Sequence, residues 1–119
     1  MTNMKLKKII KSHSKWLENN SRGVRADLSG FDLSELDLSE VNLKGANLVC
    51  TNLFNSNLRL INLSDANLKG AILNYADLTN ANLVNTNLEK VSLKNAILTG
   101  TVLEGKIYET RRSWEVPND

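Results

Sequence analysis

Leucine recurs at every fifth position from Leu28 to Leu103, sixteen times in succession. No regular element buries such a pattern. In an α-helix, five steps of about 100° turn each leucine roughly 140° from the last, so no apolar stripe forms. In a straight strand, faces alternate with period two and an odd step sends every other leucine outward. A chain that turns one corner per five residues does bury it, because every leucine can then point to a common axis.

The other positions of the unit agree. Two residues before each leucine stands an apolar or small residue, from Ala26, Phe31, Leu36 and Val41 through to Thr101. Spacing two places it on the leucine's side of the backbone. Between the two sits Asp or Asn in twelve of sixteen units, pointing outward, and the residue after each leucine, Ser64 among them, is also expected outward. The last position is Gly at 30, 45, 70, 100 and 105 and Asn at 55, 80, 85 and 95, residue types that tolerate positive φ at a corner.

Outside this frame lie two short segments. The first has helical spacing, with Leu6, Ile9, Ile10, His13 and Leu17 on one face and Trp16 at its edge. A helix is expected from about residue 4 to 19, with Thr2 or Asn3 as N-cap and Gly23 as its stop. Its apolar face would seal the first coil, where the large inward groups Phe31, Leu36 and Val41 would meet it. Residues 1–25 carry seven cations against Glu18, whereas 26–45 carry Asp27, Asp32, Glu35, Asp37 and Glu40 against Lys44. A basic amphipathic helix also suits a membrane surface, but a lid over an acidic coil accounts for both charge blocks. The tail from Lys106 leaves the frame, with Ile107, Tyr108, Trp114 and Val116 as its apolar groups.

The run resembles the pentapeptide-repeat proteins, whose unit is Ala-(Asp/Asn)-Leu-X-X. The leader, with His13, Trp16-Leu17 and then Arg25-Ala26-Asp27-Leu28-Ser29-Gly30, is similar to one common in that family. The resemblance implies an all-β solenoid: a right-handed quadrilateral β-helix of about four coils, built from sixteen pentapeptides, with an N-terminal α-helical cap. The division expected is 1–25 for cap and linker, 26–105 for the repeats and 106–119 for a C-terminal cap or tail. Residues twenty apart would then stack in columns.

Little in the sequence carries chemistry. There is one His, one Cys and no glycine-rich phosphate loop, so no catalytic residue, metal site or cofactor is expected. Asp27, Asp32 and Asp37 occupy the repeat's outward Asp/Asn position and are read as turn formers. His13 is read as a lid residue. Cys50, unpaired at an outward corner, suits a reducing cytoplasm. No apolar stretch fits a signal peptide or a transmembrane span.

The informative exceptions are apolar residues in outward slots. Phe54, Ile72 and Tyr75 fall on one side of adjacent coils, with Val49 and Cys50 at the neighbouring corner, and form a candidate interaction patch. Ile97, Val102, Tyr108 and Trp114 form a candidate C-terminal interface for a homodimer. The reading is a non-enzymatic binding or structural module with an unknown protein partner, nucleic acid not being expected. The alternative, suggested by some fluoroquinolone-resistance members of the family, is a duplex-DNA mimic that inhibits or protects DNA gyrase.

Overall fold

In the central coils a five-residue unit with Asx before its leucine places all of its backbone donors, and that accounting defines the fold. In a computed structural model describing residues 1–104, the unit 46–50 shows how. Ala46 N–H donates to the Leu43 carbonyl at 3.0 Å and closes a turn; Asn47 N–H donates to Ala26 at 3.0 Å in the coil before. Leu48 and Cys50 donate to Asn67 and Lys69 in the coil after, at 2.7 and 2.8 Å. The remaining donor, Val49 N–H, goes to the Asn47 side-chain oxygen at 3.1 Å. A chain that left these groups unpaired would not tolerate burial.

The ladder partner always lies twenty residues on: Asp27 with Asn47, Asn47 with Asn67, Asn67 with Asn87, and likewise on three other sides, all parallel. Four units therefore make one coil. Among the described residues the ladder consists of isolated bridges, not the continuous strands that an all-β description suggests. The reason is geometric: with a corner in every unit, only the residue before each leucine pairs on both sides.

Corners fall on every fifth residue from 30 to 100, all with positive φ. Gly and Asn were the expected occupants, yet Glu35, Glu40, Cys50, Leu60, Asp65, Tyr75 and Lys90 adopt the same conformation, with φ between 57° and 63°. The stacked coils impose it, at a cost to a β-carbon of about 1–2 kcal/mol each. At Gly100 a β-carbon would also strike the Asn80 side chain.

The leucines fill the axis. Those from Leu28 to Leu83 are buried without exception, as are Leu93 and Leu103; Leu88 and Leu98, in the last coil, are half-buried. The companion inward position is closed by alanines, by Ile61 and Val91, and by hydroxyl residues. Those hydroxyls are paired: Thr51, Ser56 and Thr86 each donate at 2.8 Å to the leucine carbonyl twenty-three residues earlier, Leu28, Leu33 and Leu63. A buried hydroxyl without a partner would be costly. Ser64, expected outward, is instead buried at 8% exposure; its hydroxyl folds back to donate to Asn62 Oδ1 at 2.7 Å, a bond that Ser29, Ser34 and Ser39 make to their own Asp residues while half-buried.

Helix α1 spans Asn3–Glu18, with Thr2 as N-cap accepting from Lys5 N–H at 3.1 Å. It ends before Gly23, whose role is different from a stop signal. A β-carbon at Gly23 would run into the Ser12 carbonyl and come within 2.6 Å of Trp16 N. The linker thus crosses the helix backbone at a distance only glycine allows, and Val24 N–H donates to Ser12 Oγ beside it at 2.9 Å.

Candidate interaction surface

Three positions of each unit face outward, and their tasks differ. The residue before the leucine is structural: all twelve Asp or Asn residues there accept the N–H two residues on, at 3.0–3.2 Å. This is the Asx turn, a side chain standing in for a backbone acceptor. Asp27, Asp32 and Asp37 also accept from the hydroxyls of Ser29, Ser34 and Ser39, and these serine bonds, then the serine N–H groups, hold their carboxyls below the usual range. Burial alone would raise Asp77; the Thr79 hydroxyl and N–H, with Arg59 at 3.2 Å, outweigh it and lower it. These acids are occupied in holding the turn, which leaves none of them placed as a proton donor.

The remaining two outward positions are free to vary, and on one side two residues of the candidate patch, Phe54 and Tyr75, occupy them. Phe54 follows the leucine of its unit in the second coil, and Tyr75 takes the corner of the third. Their rings meet edge to face, 5.7 Å between centroids and 66° apart. Ile72 stands on the same side and replaces the Asx residue, bridging Asn52 and Ser92 through its backbone. Phe54 and Ile72 are about 40% exposed and Tyr75 is 55% exposed. At the adjoining corner Val49 is half-buried and Cys50 exposed. Leu60, Val84, Ile97 and Val102 are exposed elsewhere. Of the candidate C-terminal interface, Tyr108 and Trp114 lie outside the described residues.

At the other end α1 closes the first coil. Leu6 and His13 are buried; Ile9, Ile10 and Phe31 are half-buried against the core, and Lys5 Nζ stands 5.3 Å over the Phe31 ring. Leu17 is half-buried and outside that core cluster. His13 holds the seam. Its Nδ1 accepts the Ala26 N–H and its Nε2 donates to the Lys44 carbonyl, both at 2.9 Å, while Trp16 stacks on the ring at 5.4 Å. By the ladder's own pattern these two groups would bond the Gly23 carbonyl and the Arg25 N–H of a preceding unit. The imidazole replaces that unit with one side chain. Arg25 adds Nε to the Gly45 carbonyl at 2.6 Å. Sequence reasoning placed His13 in the lid but missed this role, and missed Arg25 and Gly23; backbone partners leave no mark in a residue pattern.

Charge stays where the sequence puts it: acids ring the first coil, while later coils pair Arg59 with Asp77 and Lys69 with Glu89. Among the described residues, no group of three or more His, Cys, Asp or Glu could hold a metal ion, and no helix is long and apolar enough to cross a membrane.

A family model described as pentapeptide repeats matches residues 24–59 and 61–100 in eight copies. Among solved structures, a pentapeptide repeat protein of the Arabidopsis thaliana thylakoid lumen is 39% identical with a TM-score of 0.62 over 63% of this chain, which spans only 52% of that protein. One from Nostoc Pcc 7120 is 33% identical with a TM-score of 0.64, covering 74% of this chain and 72% of its own. A comparison with curated proteins finds no match.

Proposed function

Because this chain belongs to the pentapeptide-repeat family, we propose that it acts without catalysis, as a rigid rod that docks a protein partner on the side carrying Phe54, Ile72 and Tyr75. The exposed edge-to-face pair of Phe54 and Tyr75 carries this reading. Aromatic side chains that stand in water at fixed spacing are the usual anchors of protein interfaces. The coils on which they sit are held by hydrogen bonds on both edges, so the pair is presented without a large ordering cost.

The same reading takes the rod as a right-handed β-helix divided at 1–25, 26–105 and 106–119, working in the cytoplasm. A twofold contact at the C-terminal end would use Ile97 and Val102 with Tyr108 and Trp114. The duplex-mimic alternative draws no support from the charges. A basic DNA-binding groove responds chiefly to a long row of negative charge, and here five acids cluster in the coil beneath a basic helix, while Asp65, Asp77, Glu89 and Glu104 of the later coils are matched by Arg59, Lys69, Lys90 and Lys94.

The test is affinity capture from the source cell with the wild-type chain and with Phe54→Ser plus Tyr75→Ser, both checked for equal thermal stability. A protein partner retained by wild type and lost by the double variant is the expected result. Equal recovery by both forms would overturn the patch, and recovery of gyrase by both would favour mimicry.

A further inference from the structure

We propose that protonation of His13 unlatches α1 from the first coil, which makes the cap an acid-sensitive lid. The geometry is specific about the proton. Nδ1 receives a backbone N–H, so the neutral ring must carry its hydrogen on Nε2, where it donates to Lys44. Both nitrogens are committed, the ring is fully buried, and the bonds join the helix to both ends of the first coil. An imidazolium has two N–H donors and no acceptor. Adding a proton at Nδ1 sets it against the Ala26 N–H, and the seam loses its pin.

The surroundings oppose that proton as long as the lid is closed. Burial is the main effect lowering the affinity of His13 for it; the Lys44 carbonyl works the other way, and Arg25 adds to the lowering. Nearest in the chain to the ring and its two backbone partners are Lys15 and Glu18 on α1, Arg22 and Arg25 in the linker, where Arg22 pairs with Glu18, and Asp27 and Lys44 in the coil. Of these charged side chains Arg25 alone shifts the ring, and its guanidinium is a cation. When the lid opens, His13 returns to its ordinary value of about 6.5. The closed state therefore binds fewer protons than the open one, and its advantage is full above about pH 6.5. That advantage falls as pH drops from there toward the lower, closed-state value.

Besides His13, the helix is held by Leu6, Ile9 and Ile10 packed on the core and by the bond from Val24 N–H to Ser12 Oγ. Grooves of about 340 and 380 Å³ run along its two sides, the first lined by Ile9, Val24 and Arg25 and the second by Leu6, Ile10 and Leu36. The groups set free on opening are Ala26 N–H, the Lys44 carbonyl, and the half-buried Phe31, Leu36 and Val41.

Amide hydrogen exchange of the full chain, followed from pH 7.5 to 4.5 and corrected for intrinsic exchange, reads this directly. Ala26 N–H reports the lid, and Leu68 N–H, bonded to Asn87 at 2.9 Å, reports the central coils. We expect the open-to-closed ratio at Ala26 to rise by up to tenfold per pH unit below about 6.5, with Leu68 unchanged. His13→Gln should flatten the response. Arg25→Gln should shrink it, because His13 then differs less between closed and open states. Should His13→Gln fail to fold, the nuclear magnetic resonance titration of His13 in the wild type decides: a midpoint below 6.5 supports the lid. A midpoint at or above 6.5, flat Ala26 protection, or Leu68 opening in parallel with Ala26 overturns it.

Discussion

Leu58 and Leu60 sit two residues apart in one unit, and the same truncation should cost heavily at the first and almost nothing at the second. Leu58 is fully buried on the axis between Leu38 and Leu78; Leu60 stands 54% exposed at a corner. Leu58→Ala removes three carbons from the core, about 2.4 kcal/mol at roughly 0.8 per buried carbon. The coils above and below are fixed by hydrogen bonds from Leu38 to Asn57 and from Leu58 to Asp77, at 2.9 and 2.8 Å, so the space cannot close by settling. A cavity term should raise the loss to about 3–4 kcal/mol, within the range for core leucines. Leu60→Ala keeps the same strained φ and loses only exposed surface, so its change should stay within about 0.5 kcal/mol. Urea unfolding of the three proteins measures both, with the slope as a check that the exposed area is unchanged. In thermal terms the Leu58 variant should melt more than about 10 °C below wild type. Equal midpoints for the two variants would refute the assignment of inward and outward positions.

Two further outcomes follow from features at the ends of the rod. Since the serine bonds lower Asp27, Asp32 and Asp37, the folded chain binds fewer protons there than the unfolded one, and stability is lost as pH falls below about 4. Replacing all three by Asn keeps the turn acceptor and removes the titration, so the triple variant should lose less stability than wild type between pH 5 and about 2.5; parallel acid curves by circular dichroism would contradict this. If the C-terminal end makes a twofold contact, light scattering should show wild type as a dimer and Val102→Lys as a monomer, and a wild-type monomer at high concentration would remove the idea.

The coil was legible because its causes repeat. A leucine every five residues with an apolar or small residue two before it, and Asp or Asn between them in twelve of sixteen units, restate one local geometry along the chain. The corner was legible only in part: among the described residues Gly and Asn announced it at eight positions, but Glu35, Leu60 and Tyr75 take the same φ with no propensity for it. There the hydrogen bonds of neighbouring coils decide, and a stretch read by itself does not contain them. The same limit hid the work of His13 and Gly23, whose partners are main-chain atoms seven to thirty-one residues away. The patch lies between these cases. Three apolar residues in polar slots were visible, and the period of twenty brought them to one side, but that two of the rings touch is a fact of rotamers.

The period of twenty also separates what the fold can forgive from what the surface can. One additional five-residue unit between Asn55 and Ala71 would leave every leucine on the axis and every corner at a corner. It would nevertheless carry Tyr75 a quarter turn around the rod, away from Phe54. Twenty additional residues would return Tyr75 to its side with a whole coil set between the rings. The core counts in fives and the surface counts in twenties, so insertions and deletions that the interior accepts can rewrite what the exterior displays.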